Sequence, residues 1–566
     1  MSDAPSRRET LHRLCATVLA SGMMGAGYTQ AHGANSQPFE RSAVLPSLKG
    51  LADYSYAGYG FGLEAIPSDS GTLINVADFG AKGDGQTDDS RAVREAIAAA
   101  HKVAGKVTVR FPKGRFVLTE VMRIERSDFV LEGAGRGDDG TTLYFPRPLR
   151  LVDESQSLKE LREYIRKENK RQIEKDRNVD YWFSEYSWSE GFIRVGIPGT
   201  RYAEYLPDYD TAPDIVTTGA SGAKWTRHLE VKDARAIKAG QILQIQWFSD
   251  KGRDSAIIRS LYGETDLPIG QRHYDNPARA LVTQTTRILS VRGNRIELGD
   301  PLLHAVSAEQ PARIVRKAFL TDVGIQGLLI EFPDAPAFGH HLEEGYNALA
   351  LHEMFDGWVR DVTIHNADSG VLTYDSASLT LTDIATTGER EAHYSVHVGN
   401  AHNVLVRNLM VANTVIHPLS VNTQATRAVY SRAVVLRGGL IDQHAGANHE
   451  NLFDAVRLHI QPRLVDGVWV HDTWAGGGAP YWQPNHGLHN TTWNLEIVIE
   501  GGAPWNATVE LRGLKQGVGE NIIGVYGNRR LTVTYPRAAR IEGVNSSYEA
   551  APSLYDYQTS KRKRLT

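Results

Sequence analysis

A chain of 566 residues with 41% hydrophobic side chains can bury a large core, and a formal charge of -4 excludes the basic excess expected of a nucleic-acid protein. One cysteine, Cys15, excludes a disulfide framework and a thiolate metal site. No run of 18 uninterrupted apolar residues occurs, so no membrane span is expected.

At the N-terminus, Ser6-Arg7-Arg8-Glu9-Thr10-Leu11, the weakly apolar run from Leu14 to Met24 and the small residues Ala31 to Ala34 resemble a twin-arginine export signal. Residues 1–34 are therefore expected to direct the protein to the periplasm or beyond, and their removal takes Cys15 with them. Residues 35–72 read as an N-terminal arm. Its aromatic and glycine stretch, Ala52 to Gly62, either packs along the first strands or lines a binding cleft.

Residues 73–150 carry the most specific pattern. Ile74 to Gly80 reads as a short strand, Asp84-Gly85 as a tight turn open to positive φ, and Ser90 to Ala100 as a helix with Val93, Ile97 and Ala100 in one apolar stripe. Thr87, Asp88 and Asp89 stand where side-chain oxygens cap a first helical turn. Capping accounts for Asp84 to Asp89 better than an EF-hand loop does, because the later calcium ligands are missing. Two alternating strands follow, Gly105-Lys106-Val107-Thr108-Val109-Arg110-Phe111-Pro112-Lys113-Gly114-Arg115-Phe116 and Phe129-Val130-Leu131-Glu132-Gly133-Ala134-Gly135-Arg136-Gly137. Together these phrases resemble the opening coils of pectate-lyase-like right-handed parallel β-helix proteins, a superfamily of enzymes and phage proteins acting on polysaccharides. The resemblance implies an all-β, single-stranded parallel β-helix with an N-terminal helical cap, and a polysaccharide as partner. Monomer and homo-oligomer are both open.

Residues 151–224 interrupt the coil rhythm. Ser157 to Asn178 reads as a charged helix with Leu158, Leu161, Ile165 and Ile173 on one narrow face. The aromatic run Tyr181-Trp182-Phe183-Ser184-Glu185-Tyr186-Ser187-Trp188 either packs that helix down or makes a sugar platform. Residues 225–316 read as a small antiparallel β insertion. The coils resume over 317–540, where Asp361, Asp383 and Asn408 head successive phrases 22 and 25 residues apart, within one superhelical turn. Each of these is expected to bond the backbone of its own turn. The coils are expected to fade after Tyr535, and residues 541–566 read as a tail ending in a solvated basic run.

On a strand buried on one face, alternate residues point outward, so stacked coils align side chains into a groove. Between 390 and 490, His393, His397, His402, His444, His449, His459, His471, His486 and His489 are nine of the chain's 20 histidines. With Val396 and Val398 inward, His397 faces out; with Leu452, Val456, Leu458 and Ile460 inward, Arg457 and His459 face out. The polar loop Asp442 to Asn451 is expected to hold His444 and His449 over the groove. Its His-x4-His-Glu spacing is not the HExxH of a zinc helix.

Cleavage of a uronate chain by β-elimination needs a base for the C5 proton, a cation for the carboxylate and an acid for the leaving oxygen. His397, His444, His449 and Tyr394 are the base and acid candidates, with Glu450 and Asp454 as carboxyl candidates. Arg427, Arg432 and Arg457 are expected to bind carboxylates, a role that Ca2+ can also fill. His459, Trp482 and His486 complete the expected substrate contacts. Hydrolysis instead needs two carboxyl groups, from Asp442, Glu450, Asp454, Asp466 and Asp472. The chain lacks the NTD, GHG and RIK phrases of polygalacturonase-type hydrolases. The abundance of His and Arg favours a polysaccharide lyase. A glycoside hydrolase on the same fold and a non-catalytic glycan-binding or structural solenoid are the alternatives.

Overall fold

Short runs of Val, Ile and Leu, each ended by Gly, Asn or Asp, fold into successive rungs of a right-handed parallel β-helix. The computed structural model describes residues 39–68, 71–137, 139–153, 155–169, 184–199, 213–337, 339–478 and 480–565. The export-signal segment, the end of the charged helix and Tyr181 to Phe183 lie outside them. Nineteen strands form one long sheet, and eight more form a second sheet on another side of the rod. The eight stack in chain order, each parallel to the next: β1 (Met122–Ile124), β2 (Ile193–Val195), β3 (Asn347–His352), β4 (Ser369–Tyr374), β5 (Ala392–Gly399), β6 (Val415–Asn422), β7 (Ile441–His444) and β8 (Trp474–Ala475).

In-register stacking builds the interior. Val359, Leu381, Val406, Tyr430 and Phe453 occupy one column of the long sheet and are buried in the main core. Each such aliphatic side chain contributes about 1.5–3 kcal/mol by leaving water. Asp322, Asp361, Asp383 and Asn408 sit at corners of successive coils, with φ between 54° and 57°. Asp and Asn tolerate this left-handed corner better than other side chains. The expectation of bonds within their own turn gives way at Asn408, whose Nδ2 donates across to Asp383 Oδ1 of the preceding coil (3.0 Å).

Helix α1 (Ser90–Ala100) packs Val93, Ala96, Ile97 and Ala100 onto the same core. Its capping differs in detail from the sequence reading. Asp89 is at the N-cap but makes no cap bond; its carboxylate accepts from the Lys82 and Gly83 N–H groups, while Asp88 accepts from Ser90 N (3.0 Å). Helix α2 (Gln156–Asn169) buries Leu158, Leu161 and Ile165.

The expected antiparallel insertion is a closed six-stranded barrel running from Asp214–Ser221 to Ala312–Arg316, with its own core around Trp247, Leu261 and Leu303. Helix α3 (Ala256–Tyr262) belongs to this unit, and Ala447 and Val518 of the rod join its core. Past Tyr535, Arg540–Val544 still pairs with the long sheet, and the chain ends in helix α4 (Leu554–Lys563). The aromatic arm packs against α4: Tyr54 is fully buried, and the Tyr555 hydroxyl donates to Ala57 O (2.8 Å). Among the described residues, no helix is long and apolar enough to cross a membrane.

Candidate functional site

Rung stacking on the eight-stranded sheet gathers imidazoles and phenols that are scattered in the sequence. Leu372, His397, Ser420 and Asp442 form one column across β4 to β7, Tyr394 lies opposite His417, and Asn422 lies opposite His444. Residues 339–346, which have no helix or strand, add His340, His341 and Glu343. The rings form a continuous run. Centroid separations are 4.7 Å for Tyr394–His397, 5.2 Å for Tyr394–His417, 5.0 Å for His417–His444, 4.2 Å for His393–Tyr394, 5.2 Å for His393–His417 and 4.6 Å for His340–His393. Tyr374 extends it beyond His397 at 5.2 Å, with Trp188 packed beside Tyr374 and Tyr394. The described half of the aromatic run is thus divided, since Tyr186 packs into the main core. Gly477 leaves room for the ring of His444, because a Cβ there would come within 2.0 Å of it.

The electrostatics of this cluster are distinctive. Asp442 is fully buried; its Oδ2 accepts from Ser420 Oγ (2.6 Å) and lies 3.3 Å from His417 Nδ1, while its Oδ1 lies 3.5 Å from His444 Nδ1. Burial alone raises a carboxyl, but the two facing imidazoles overcome it and hold Asp442 well below the usual carboxylate range. Burial, reinforced by neighbouring imidazoles, pushes His397 down to about 3 and holds His393 well below the usual imidazole range. These rings are neutral at pH 7. His397 Nδ1 and His417 Nε2 are buried without a hydrogen-bond partner, while His444 Nδ1 and Asp442 Oδ1 face each other at 3.5 Å without a formed bond. An unmet buried polar atom costs about 1–3 kcal/mol, so this cluster marks a place where a ligand completes the bonding. His340 is exposed and opens the cluster to solvent.

Of the residues singled out in the sequence, the fold brings Tyr394, His397 and His444 here, with Asp442. His449 and Glu450 turn instead to the contact between rod and barrel. His449 Nδ1 donates to Ala447 O (2.8 Å), His449 Nε2 meets His304 Nε2 at 2.9 Å, and His304 Nδ1 meets Ser260 Oγ at 2.7 Å. Glu450, fully buried, receives Lys224 Nζ, Trp225 Nε1 and Arg427 Nε, each at 3.0 Å. Burial opposes its charge, yet Lys224 and Arg427 keep it ionised well below the usual range, which disqualifies it as a proton donor. Arg427 also donates to Pro301 O (2.6 Å) and lies 3.6 Å from Asp300, so it is committed within the protein. His402 joins the same network, with Nε2 2.7 Å from Asp300 Oδ2 and Nδ1 2.8 Å from Thr426 Oγ1.

The remaining candidates hold other parts of the rod together. Asp454 receives the Leu554 N–H (2.7 Å) and the Ser553 hydroxyl, anchoring the start of α4. Arg432 pairs with Asp556, Arg457 with Glu496 and His459 with Glu500, at 2.6, 2.8 and 2.7 Å. His486 contacts the Tyr535 hydroxyl at 2.5 Å, and the ring of Trp482 lies 5.7 Å from that of His273. The sequence reading missed His417, His340 and His341. The position of His417 one rung, 23 residues, after Tyr394 was the available signal for the first.

Residues 73–168 match the family described as rhamnogalacturonase A/epimerase, pectate lyase-like. The opening coils are those of a pectate-lyase-like β-helix. Over 70 residues the chain is 46% identical to alginate lyase 7 of Azotobacter vinelandii, a stretch amounting to 11% of this chain and 8% of that protein. The tailspike of Pseudomonas phage LKA1 aligns with 84% of this chain and 81% of its own, at 12% identity and a TM-score of 0.45. An exopolygalacturonase of Thermotoga maritima aligns over 85% and 93% at 10% identity, with a TM-score of 0.34. Neither solved structure is similar enough to transfer chemistry.

Calcium, which could serve a carboxylate in place of Arg, takes six to eight oxygens, whereas this cluster offers mainly imidazole nitrogen. These residues do not fit Ca2+.

Proposed function

We propose that this protein is a polysaccharide lyase that cleaves a uronate-containing glycan by β-elimination on the outer face of β4 to β7. The observation that carries the reading is the pairing of Tyr394 with His417, whose rings lie 5.2 Å apart and near parallel, in a cluster of unpartnered imidazole nitrogens. In the proposed step His417, oriented by Asp442, takes the C5 proton with its free Nε2. The C5–H electrons form the C4–C5 double bond, the C4–O bond breaks, and Tyr394 protonates the departing oxygen. His397 and His444 flank the pair and donate to the sugar. The short likeness to an alginate lyase supports this substrate class. Hydrolysis is the weaker reading, because Asp442 is clamped between two imidazoles and Glu343 Oε1 lies 2.9 Å from His393 Nδ1.

The test is incubation of the purified protein with alginate, polygalacturonate, other acidic glycans and neutral glycans. A lyase produces the near-ultraviolet absorbance of a 4,5-unsaturated uronate. New reducing ends without that absorbance would establish hydrolysis, and binding with neither product a non-catalytic solenoid.

A further inference from the structure

His340, His341 and His393 have no part in the proton transfers just described, yet their ring nitrogens converge within 4.8 Å of one another. His340 Nε2 and His393 Nε2 are 3.2 Å apart. Two ligand atoms about 2.1 Å from a shared tetrahedral ion stand about 3.4 Å apart, close to the spacing found. The support behind the rings is also in place. Glu343 Oε1 lies 2.9 Å from His393 Nδ1 and accepts the backbone N–H of His341 (3.0 Å); its Oε2 accepts from Ser187 Oγ (2.6 Å). A carboxylate on the Nδ1 side of an imidazole is the usual support of a metal-binding histidine. Glu343 stands within reach of His393 Nδ1 without a formed hydrogen bond, and it holds the backbone that carries His341.

We propose that His340, His341 and His393 form a centre for a divalent transition ion of the zinc class, with an open coordination position that takes the carboxylate of a uronate sugar. Three imidazoles form a nitrogen-rich set that such ions prefer and calcium does not. Three protein ligands leave the fourth position free, and the exposure of His340 gives it access to solvent. The location suits β-elimination: the ring of His393 stacks on Tyr394 at 4.2 Å and lies 5.2 Å from that of His417. Among the described residues the acid–base cluster contains no Lys or Arg, and an ion here supplies the cation that a carboxylate needs as its C5 proton leaves. This assignment of the open position rests on the lyase reading; the ion site does not.

The experiment uses untagged full-length protein stripped with a chelator, then dialysed against zinc or calcium chloride and analysed for bound metal. The expected result is about one zinc and no calcium per chain, with zinc affinity falling more than about tenfold in His340→Ala and in Glu343→Gln. Equal zinc binding by wild type and His340→Ala, or no zinc binding by the wild type, would overturn the centre. His340 is exposed, so that variant is expected to fold, and its melting profile without metal checks this. With cobalt(II) in place of zinc, glucuronate is expected to change the visible absorption and glucose to leave it unchanged; no response to glucuronate overturns the open position. Zinc binding without any unsaturated product would sink the lyase reading and leave the metal centre standing, whereas full elimination by zinc-free protein would keep the lyase reading and overturn the role given to the open position.

Discussion

Two groups of histidines, built from the same short segments, differ in how their ring nitrogens are used. At the contact between barrel and rod, Ser260, His304, His449 and Ala447 O make a closed relay. The hydroxyl donates to His304 Nδ1, His304 Nε2–H donates to His449 Nε2, and His449 Nδ1–H donates to the carbonyl. Both nitrogens of His402 are also occupied. On β4 to β7, ring nitrogens of His397, His417 and His444 are buried with no formed hydrogen bond. A satisfied buried histidine glues two units together; an unsatisfied one waits for a ligand. Only four residues separate His444 from His449, yet they belong to different groups. The chain between them turns through positive φ at Ala445 and Gly446, and again at Glu450 just after His449.

The largest effect tests the unsatisfied group of this contrast. His417→Ala is expected to lower elimination about 1,000-fold, roughly 4 kcal/mol of barrier, with little change in melting temperature. Activity within tenfold of wild type would break the assignment. The opposite behaviour is expected of Arg427→Ala, which strips Glu450 and Asp300 of a fully buried partner. It should cost about 3–5 kcal/mol of stability in a urea titration while activity per folded molecule holds.

Glu520 sharpens the comparison by showing a buried carboxyl without a paired cation. Its partners are Gln443 Nε2 (2.7 Å) and Thr492 Oγ1 (3.0 Å), and burial raises it from 4.5 to about 7. A raised folded-state value favours the protonated form, so this contribution to stability is full below pH 4.5 and is lost as pH rises through about 7. Glu520→Gln removes that loss and is expected to be more stable than wild type by about 2 kcal/mol at pH 8, with no advantage at pH 4. Equal melting of the two proteins across that window would refute it. The smallest effect is expected for Arg457→Ala. Its half-exposed pair with Glu496 contributes about 0.5 kcal/mol or less, and activity should be unchanged; a severe loss of activity would move the substrate groove to the long sheet.

How much of this was legible in the sequence depends on which signals are local. The opening coils carry their pattern within adjacent residues, so the fold could be read from Ile74 to Gly137. Strand alternation placed His397 outward, since Val396 and Val398 are in the core. His417 required the register between coils, which pairs Tyr394 with it only after folding. His340 and His341 lie in a segment with no period to read. The arginines were selected by residue type alone, and type cannot distinguish a guanidinium offered to a ligand from one held by Glu450, Asp556 or Glu496.

The clasp between the arm and α4 has a consequence for synthesis. Coils can stack one after another as the ribosome delivers them, but Ala52 O and Tyr54 N wait for Gln558, which bonds both, at 3.0 and 2.9 Å. The arm, which precedes the coils, finds its final seat only after residue 558 has been made. Until then Leu51, Tyr54 and the apolar strip of Leu405, Val429 and Leu452 that they cover stay open to water. Latching therefore follows the synthesis of the coils, and a nascent chain arrested before residue 554 would keep that strip bare.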